Sequence, residues 1–487
     1  MPNPRGFITI DRIENGYRPI QERVRDFKEV EKELPEADRK LQASRCMDCG
    51  VPFCHWGCPV GNLMPEWQDK IIQGDWQAAY EILQSTDNFP EFTGRICPAL
   101  CEASCVVAIN APAVTIRENE LSVIERAFKE GFVQPRPPAR RTGKSVAVIG
   151  SGPAGLAAAD SLNKLGHSVV LYEAADRLGG FLRYGVPDFK LEKHVIDRRI
   201  DVLEQEGVVF KTSITVGRDL SVEELKNSFD AICIAIGSRK ARDIPVEGRE
   251  LNGIHQATIF LEQQNRLVSG DYIPNEERIS AYYKHVIVLG GGDTGSDCIG
   301  TSNRQGARSI TQIEILPPAP VTRAENEPWP VFPKLYKNSS SHEEGCERMF
   351  NVTTKKFIGE NGKVTGLLAA KVEWQRDEKG QFKMVEVPGS EFELPADLVV
   401  LAMGFEHVVH EGMVDAFGVD YSSRGNIAVD DQHMTSVPGV FATGDAKRGA
   451  SLVVWAIQEG REAAQGIDVY LSRSSLQPMS EAQATIV

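Results

Sequence analysis

Residues 145–155 read SVAVIGSGPAG, a short apolar run of the buried-strand type that leads directly into a glycine-rich loop. A helix-like segment, Leu156 to Leu165, follows the loop, and Ser168 to Tyr172 gives a second apolar strand. This order predicts a βαβ unit. In such a unit the three glycines allow a tight turn and let a pyrophosphate approach the helix N-terminus. The segment therefore indicates an α/β fold with a dinucleotide site.

The residues around this unit favour FAD as its ligand. Glu173 ends the second strand, where a carboxylate can accept hydrogen bonds from an adenosine ribose. A distant Gly444-Asp445 pair precedes an apolar helix, and the Asp of such a pair typically reaches the ribityl or pyrophosphate region of a flavin. The candidate FAD-binding residues are Gly150, Gly152, Pro153, Ala154, Gly155, Glu173, Arg177, Gly180, Gly444, Asp445, Ser451, Leu452 and Val453.

The same pattern returns later in the chain. An apolar strand, His285 to Leu289, is followed by a second Gly-x-Gly-x-x-Gly loop, and this internal repeat predicts a second nucleotide-binding unit. Glu314 corresponds to Glu173, and a carboxylate there favours NADH. Arg304, Arg308 or Arg323 could instead bind the extra phosphate of NADPH, so the sequence leaves the coenzyme open. The candidate NAD(P)H-binding residues are Gly290, Gly292, Asp293, Thr294, Gly295, Glu314 and Arg323.

Seven of the ten cysteines lie in one N-terminal cluster. Their spacing is Cys46-x2-Cys49-x4-Cys54-x3-Cys58-Pro59 and then Cys97-Pro98-x2-Cys101-x3-Cys105. Cysteine followed by proline after a three-residue gap is typical of two-cluster ferredoxins. Two cubanes need eight ligands, and a carboxylate at Glu118 or Glu120 could supply the eighth. A structural zinc site is the main alternative, although zinc usually takes four ligands in two close pairs.

The overall composition narrows the class of protein. The 487 residues suggest about three domains, and the net charge of −14 argues against nucleic-acid binding. The sequence contains no apolar run long enough for a transmembrane helix, and its N-terminus, Met1 to Gly16, does not resemble a signal peptide. We therefore expect a cytoplasmic protein that does not bind membranes. Helix-like stretches occur at Ile20 to Glu33 and Pro65 to Leu83.

We expect a helical iron–sulfur domain followed by two Rossmann-like domains. The iron–sulfur domain is predicted at residues 1–142 and the NAD(P)H domain at residues 266–399. The FAD domain is predicted to be discontinuous, at residues 143–265 and 400–487.

Over nearly its full length the chain resembles the small (beta) subunit of glutamate synthase. A similar module occurs in dihydropyrimidine dehydrogenase and in electron-bifurcating transhydrogenases. The resemblance rests on both glycine loops and on the segments Cys46–Gly50, Pro52–Cys54, Gly57–Pro59, Gly94–Pro98, Ala442–Asp445 and Gly449–Val454. Two further segments, Glu325–Pro330 and His342-Glu343-Glu344, are similar to the glutamate synthase branch in particular.

The resemblance implies a set of ligands and an electron path. One 4Fe-4S cluster would be bound by Cys46, Cys49, Cys54 and Cys105, and the other by Cys58, Cys97, Cys101 and Glu120, with Glu118 as the alternative. NAD(P)H would deliver hydride to FAD, and single electrons would pass through the clusters to a large FMN-containing subunit. That partner would make L-glutamate from L-glutamine and 2-oxoglutarate.

Other functions are less consistent with the sequence. The chain could be an NAD(P)H:acceptor oxidoreductase that acts alone or within another flavin complex, such as a transhydrogenase. Disulfide chemistry like that of thioredoxin reductase needs a close cysteine pair in the second nucleotide unit, and Cys298 has no such neighbour. A scaffold without enzymatic activity is the remaining alternative. No residue is predicted to act as an acid–base catalyst, because hydride transfer between stacked rings depends on orientation and exclusion of water.

Overall fold

The computed structural model describes residues 5–376 and 380–474. The end of the predicted FAD domain, residues 475–487, therefore lies outside the described residues. Short 3-10 helices lie at Val106–Ile109 and Asn275–Glu277. The α-helices are α1 (Gly6–Thr9), α2 (Ile20–Arg23), α3 (Glu36–Ala43), α4 (Phe53–Gly57), α5 (Met64–Gln73), α6 (Trp76–Thr86), α7 (Pro90–Ile96), α8 (Leu100–Ala103), α9 (Ile116–Lys129), α10 (Pro153–Lys164), α11 (Phe181–Tyr184), α12 (Lys193–Gln205), α13 (Val222–Ser228), α14 (Ala257–Val268), α15 (Asp293–Arg304), α16 (Ser340–Glu343), α17 (Met413–Phe417), α18 (Asp445–Arg448) and α19 (Val453–Ser474).

The strands form three sheets. Their bounds are β1 (Ser145–Ile149), β2 (Ser168–Tyr172), β3 (Val209–Lys211), β4 (Ala231–Ile234), β5 (Ile254–Gln256), β6 (His285–Leu289), β7 (Ser309–Glu314), β8 (Glu347–Phe350), β9 (Val352–Glu360), β10 (Lys363–Arg376), β11 (Phe382–Glu386), β12 (Phe392–Pro395), β13 (Leu398–Leu401) and β14 (Val440–Ala442).

The first two sheets are parallel and share one plan. The first has the order β14-β4-β1-β2-β3 and the second has the order β5-β13-β6-β7-β8. Each sheet places the strand before its glycine loop at the centre, and buried apolar side chains line that strand on both faces. Such strands are typical of a parallel sheet that is covered on both sides. The predicted α/β class with two Rossmann-like units is confirmed.

A third, antiparallel sheet covers one face of the second parallel sheet. Strands β9, β11 and β12 pair with the long strand β10. Phe357 and Leu367 of this sheet pack in one core with Ile287 and Val399 of the parallel sheet. Helices α14 and α15 cover the opposite face through Phe260 and Ile299. This sheet is not predicted from the sequence pattern.

Two domain boundaries differ from the expectation. Strand β5 pairs with β13, so residues 254–256 and the helix that follows belong to the second parallel sheet rather than to the first. Strand β13 also continues past residue 399 to Leu401. The chain thus passes from the first parallel sheet to the second before residue 254 and returns after residue 401. The ends of each unit are determined by strand pairing and not by the positions of the glycine-rich segments.

The N-terminal region consists of short helices around a separate apolar core that includes Trp67, Tyr80 and Ile124. The expected helix from Ile20 to Glu33 is limited to α2, because Val30 donates its N–H to Phe189 and Lys32 donates to Gly16 in extended pairing. The expected helix from Pro65 to Leu83 is divided between α5 and α6 at Gly74, whose φ is +80°.

A buried ion pair joins this region to the first nucleotide unit. Arg199 of α12 donates from Nε to Oε1 of Glu91 in α7 at 2.5 Å and from Nη2 to Oε2 at 3.1 Å. Both side chains are almost fully buried, with 3% and 0% exposed. Among the described residues, no helix is both long and apolar enough to cross a membrane.

Candidate functional site

The first glycine loop connects β1 to α10. Gly150 has φ +103°, a conformation that favours glycine, and a Cβ there would lie 2.5 Å from the carbonyl oxygen of Ala235. A Cβ on Gly155 would lie 1.9 Å from the carbonyl oxygen of Gly150. Gly152 is the N-cap of α10 and Pro153 is its first residue. The loop therefore places the helix N-terminus, with its unpaired N–H groups, at the end of β1 where a pyrophosphate can bind.

Glu173 lies beside this loop and is 8% exposed. Its Oε2 accepts hydrogen bonds from the N–H of Ser151 at 2.9 Å and from the Ser151 hydroxyl at 2.6 Å. Its Oε1 accepts from the N–H of Ala175 at 2.9 Å. These bonds hold the carboxylate at the end of β2, as a ribose-binding acid requires.

Two predicted FAD segments from distant parts of the chain lie against the first loop. A Cβ on Gly180 would lie 2.9 Å from Cα of Gly152, and a Cβ on Gly444 would lie 2.6 Å from Cβ of Ala154. Two segments of the chain therefore approach the N-terminal turn of α10 closely, and glycine is required at both close approaches.

The C-terminal segment presents polar groups near these close approaches. Asp445 accepts a hydrogen bond from the Ser451 hydroxyl at 2.9 Å, and burial raises the pKa of Asp445 to about 6. The buried hydroxyl of Thr443 has no hydrogen-bond partner within the described part of the chain. Leu452 and Val453 pack against the apolar core below the loop. A polar cofactor along this segment would satisfy the Thr443 hydroxyl, so these residues fit FAD.

Arg177, another predicted FAD residue, makes a different contact. Its Nη1 and Nη2 donate to the carboxylate of Asp271 at 2.8 and 2.6 Å. Asp271 lies shortly after α14, a helix of the second nucleotide unit. The structure thus joins Arg177 to the other nucleotide unit.

The second glycine loop repeats the geometry of the first. Gly290 has φ +124°, and a Cβ there would lie 2.2 Å from the carbonyl oxygen of Ala402. A Cβ on Gly295 would lie 2.4 Å from the carbonyl oxygen of Gly290. Gly292 is the N-cap of α15, and Asp293 and Thr294 are in its first turn. This loop also fits a dinucleotide pyrophosphate.

Glu314 ends β7 beside the second loop. Its Oε2 accepts a hydrogen bond from the N–H of Gly291 at 2.6 Å, and its Oε1 accepts from the N–H of Leu316 at 3.0 Å. A Cβ on Gly291 would lie 2.3 Å from Oε2, so the close approach of the carboxylate depends on glycine.

The three arginines that could bind a phosphate near this loop lie elsewhere. Arg304 donates to Glu344 at 2.6 and 3.1 Å and to the carbonyl oxygen of Asp26 at 2.9 Å. Arg308 precedes β7, about 20 Å along the strand from Glu314. Arg323 donates to the main-chain carbonyl oxygens of Glu327, Val331 and Ala103.

The seven clustered cysteines line two separate cavities. The cavity lined by four thiols is called the first cysteine cavity. The cavity lined by three thiols and a carboxyl group is called the second cysteine cavity. Each set matches the ligand set implied by the resemblance, and all ten cysteines of the chain are free. The first cavity is lined by Cys46, Cys49, Cys54 and Cys105, and the second by Cys58, Cys97, Cys101 and Glu120.

The two candidate carboxylates near the cysteines have different positions. Glu120 lies in the second cysteine cavity, within 2.5 Å of the Thr93 hydroxyl and 3.2 Å of the Asn62 amide. Burial, together with the nearby Asp87 carboxylate, raises the pKa of Glu120 well above its usual range. Glu118 instead accepts a hydrogen bond from the N–H of Asn15 and pairs with Arg39. Only Glu120 of the two therefore lines the cavity.

The thiols fit a cluster with strongly stabilised thiolates. Burial raises the pKa of Cys46, Cys54 and Cys97 to about 12, so these thiols need bound metal to ionise at neutral pH. Within the described ranges, no three His, Cys, Asp or Glu side chains converge on a position for one metal ion. A cubane spreads its protein ligands around a cluster of atoms, so its ligands do not need to converge in that way.

Several neighbours of these sites carry no sequence signal. Asp87 and Thr93 line the second cysteine cavity, and so does Val454 from the first turn of α19. Lys190 forms an ion pair with Asp297, which lies just after the second glycine loop. Each is a single residue of a common type, and its role depends on a contact between distant segments of the chain.

This geometry defines a two-unit pyridine-nucleotide oxidoreductase of the flavoprotein type, preceded by an iron–sulfur domain. The family described as pyridine nucleotide-disulphide oxidoreductase matches residues 144–460, and the family described as dihydropyrimidine dehydrogenase domain II, 4Fe-4S cluster, matches residues 23–132. More specifically, the chain belongs to the family of glutamate synthase small chains, as whole-chain comparison shows.

Three relatives illustrate this assignment. The glutamate synthase (NADPH) small chain of Mycobacterium tuberculosis is 50% identical over 482 residues, which cover 98% of each chain. The glutamate synthase (NADH) of Schizosaccharomyces pombe is 44% identical over 489 residues, which cover 97% of this chain and 23% of that one. The structure of Mycobacterium tuberculosis FprA in complex with NADPH shares the fold, with a TM-score of 0.55 and 19% identity over 70% of this chain and 86% of that one.

Proposed function

We propose that this chain is the electron-input subunit of glutamate synthase. It oxidises a reduced pyridine nucleotide and delivers electrons singly to a large FMN-containing subunit, which makes L-glutamate from L-glutamine and 2-oxoglutarate. The observation that carries the proposal is the division of seven cysteines and Glu120 between two cavities, the second of which shares Val454 with the C-terminal FAD segment. FAD accepts two electrons as a hydride and releases them singly, and iron–sulfur clusters carry one electron each.

The first glycine loop is the proposed FAD site. Glu173 would accept one ribose hydroxyl at its remaining acceptor position, because its carboxylate is already held by two main-chain N–H groups and the Ser151 hydroxyl. The N-terminus of α10 would hold the pyrophosphate. Gly180 and Gly444 would let the backbone approach the cofactor, and a polar group of the cofactor would pair with the Thr443 hydroxyl.

The second glycine loop is the proposed NAD(P)H site. Gly290, Gly292 and Gly295 would admit the pyrophosphate to the N-terminus of α15. Glu314 would bind the adenosine ribose. Lys190 and Asp297 connect the chain after α11 to α15, so this ion pair supports a fixed orientation between the two nucleotide units.

The two cysteine cavities are the proposed sites of two 4Fe-4S clusters. The first would be bound by four thiolates, and the second by three thiolates and the Glu120 carboxylate. The second cavity is the nearer to the FAD site, since Cys58 and Cys97 pack against the core that lies beneath the first glycine loop. One residue that lines the first cavity, Met47, is 39% exposed. This arrangement of the two cavities supports an electron path from FAD to the second cavity, then to the first cavity and then to the partner.

A large partner subunit is supported by the relative from Schizosaccharomyces pombe. There the matching segment makes up 23% of one longer chain, so the same module is joined covalently to a larger remainder. In the protein described here the remainder would be a separate subunit. We place the chain in the cytoplasm, where a reducing environment keeps cysteines free.

The test uses the chain purified without oxygen, both alone and with the large subunit. We expect one FAD and about eight iron atoms per chain, as two cubanes require. The chain alone should oxidise NAD(P)H with a one-electron dye and make no glutamate. Adding the large subunit, glutamine and 2-oxoglutarate should give glutamate. The variant Cys346→Ser, in which the replaced cysteine lies outside both cavities, should keep all of its iron.

Each alternative has a distinct outcome. A colourless protein without iron would contradict the proposed cofactors. Glutamate formation by the chain alone would contradict the division of labour between subunits. Dye reduction without glutamate in the presence of the large subunit would instead indicate that the chain serves another flavin complex.

A further inference from the structure

We infer that the second glycine loop selects NADH over NADPH and that Glu314 determines this preference. The inference rests on the proposed function, since it specifies the coenzyme of the same site. Membership of the family does not decide the coenzyme, because the relatives described above carry either coenzyme in their names.

Glu314 repeats the hydrogen-bonding position of Glu173 within the same chain. Glu314 accepts an N–H from the second residue of its loop and another from the residue two positions after itself. Glu173 accepts the corresponding pair of N–H groups from Ser151 and Ala175. The first loop is the proposed site of FAD, whose adenosine ribose carries no 2′-phosphate. A second loop with the same arrangement is therefore suited to a free 2′-hydroxyl.

The Glu314 carboxylate keeps acceptor positions for further hydrogen bonds. An ionised carboxylate offers about four acceptor positions, and the N–H groups of Gly291 and Leu316 occupy two. In the first loop the Ser151 hydroxyl occupies a third position on Glu173. Position 291 is glycine, so no side chain competes there. Glu314 can thus accept bonds from both ribose hydroxyls of NADH.

A 2′-phosphate would meet this same carboxylate. The negative charge of the phosphate would lie beside the Glu314 carboxylate, and two neighbouring negative charges repel each other. The phosphate also replaces the hydroxyl that would have donated a hydrogen bond, so the carboxylate loses a donor. Both effects disfavour NADPH.

The arginines around the second glycine loop are bound to other groups or lie away from Glu314. Arg304 is held by Glu344, and its side chain is fully buried. Arg323 is held by three carbonyl oxygens, and Arg308 lies at the opposite end of β7. Arg348, on the neighbouring strand β8, lies over the rings of Tyr336 and Phe350 and donates to the carbonyl oxygen of Lys337. Arg304, Arg323 and Arg348 thus have other partners, and Arg308 lies at the far end of the strand. In the described part of the chain, none of these four arginines forms an ion pair with Glu314.

The first part of the test measures binding without turnover. Calorimetry on the purified holoprotein compares ADP-ribose with 2′-phospho-ADP-ribose at fixed ionic strength. We expect ADP-ribose to bind about 10-fold to 100-fold more tightly, the range for one hydrogen bond to a charged group. Steady-state dye reduction with NADH and NADPH should show a preference of the same direction in kcat/KM.

Variants separate the carboxylate from the arginines. Glu314→Gln keeps the shape of the side chain without its charge, and the ratio of NADH to NADPH in kcat/KM should fall about 10-fold. Glu314→Ser combined with Leu316→Arg should reverse the preference, since Leu316 is half-exposed and lies just beyond the strand end. Arg308→Ala is the matched control and should leave kcat/KM unchanged for NADH and for NADPH, because Arg308 lies at the far end of β7.

The outcomes are distinguishable. Equal or tighter binding of 2′-phospho-ADP-ribose, or a loss of NADPH activity in Arg308→Ala, would overturn the inference and leave the proposed function intact. Failure to oxidise either coenzyme by a protein that contains FAD and iron would overturn the proposed function, and the inference with it. A ratio that does not change in Glu314→Gln would also overturn the role of Glu314.

Discussion

Glu173 and Glu314 hold equivalent positions at the ends of β2 and β7, and each bridges the N–H of the second loop residue and the N–H two positions downstream. They differ in one donor, the Ser151 hydroxyl, which has no counterpart at Gly291. One chain thus uses the same backbone arrangement twice for two nucleotides. This duplication suggests direct experiments on each site.

Replacing Glu173 with alanine should weaken FAD binding. The change removes the ribose acceptor and leaves the N–H groups of Ser151 and Ala175 without their partner. A hydrogen bond to a charged group contributes about 1.5–3 kcal/mol, so we expect FAD to dissociate about 10-fold to 100-fold more readily. Flavin content after gel filtration measures this. Glu223→Ala, on the exposed side of α13, should retain FAD, and full retention in Glu173→Ala would refute the ribose role.

Glu120→Ala should remove the cluster that we propose for the second cysteine cavity. The variant lacks the carboxylate that we propose as the eighth ligand, so about half of the iron and sulfide should be lost relative to the parent protein. Iron analysis and low-temperature electron paramagnetic resonance of the reduced protein check this. Glu118→Gln is the matched control, because Glu118 is two positions away in sequence and lies outside the cavity. Equal iron loss in both variants would show that the effect is structural.

Cys49→Ser should affect the first cysteine cavity and spare the FAD site. We expect loss of about half of the iron and of electron delivery to the large subunit. Bleaching of the flavin by NAD(P)H should persist, because Cys58 and Cys97 of the second cavity, and none of the four thiols of the first, are found packed against the core beneath the proposed FAD site. Stopped-flow absorbance at the flavin band provides the measurement. If bleaching disappeared as well, the clusters would have a role in hydride transfer that the structure does not explain.

The buried pair of Glu91 and Arg199 offers a test of how the domains are joined. Glu91→Gln or Arg199→Met alone should lower the free energy of unfolding by about 3–5 kcal/mol, because each leaves a polar partner buried without its counter-charge. Denaturant titration measures this. The double variant Glu91→Leu with Arg199→Met should recover much of the loss, since apolar pairs of similar volume often replace buried ion pairs. A double variant as unstable as the single ones would contradict this account.

Much of the fold follows from local sequence. Strands β1, β2 and β6 begin and end where the apolar runs predict, because central strands of a parallel sheet are apolar along their whole length. Strands β11 and β12 are short and largely exposed, so their apolar signal is weak, and the antiparallel sheet is not predicted. Helix α2 ends early because Val30 pairs with Phe189, a contact between segments that are far apart in sequence.

The candidate site also has a part that the sequence predicts and a part that it does not. The glycines and cysteines follow from spacing, since each motif is local. The choice between Glu118 and Glu120 depends on how α9 faces the cavity. Whether an arginine is available to a phosphate depends on its ion pairs with remote segments, as the pairing of Arg304 with Glu344 illustrates. Such information is tertiary and has no short-range signature.

Val454 belongs to α19 and also forms part of the wall of the second cysteine cavity. The cysteine-rich region is therefore incomplete as a separate fragment, although it is continuous in sequence. A shortened protein that ends before the last helix would open that cavity to water, and a graft of the cysteine-rich region onto another reductase would need a new wall there. Transplanting this electron-transfer module between enzymes thus requires both ends of the polypeptide.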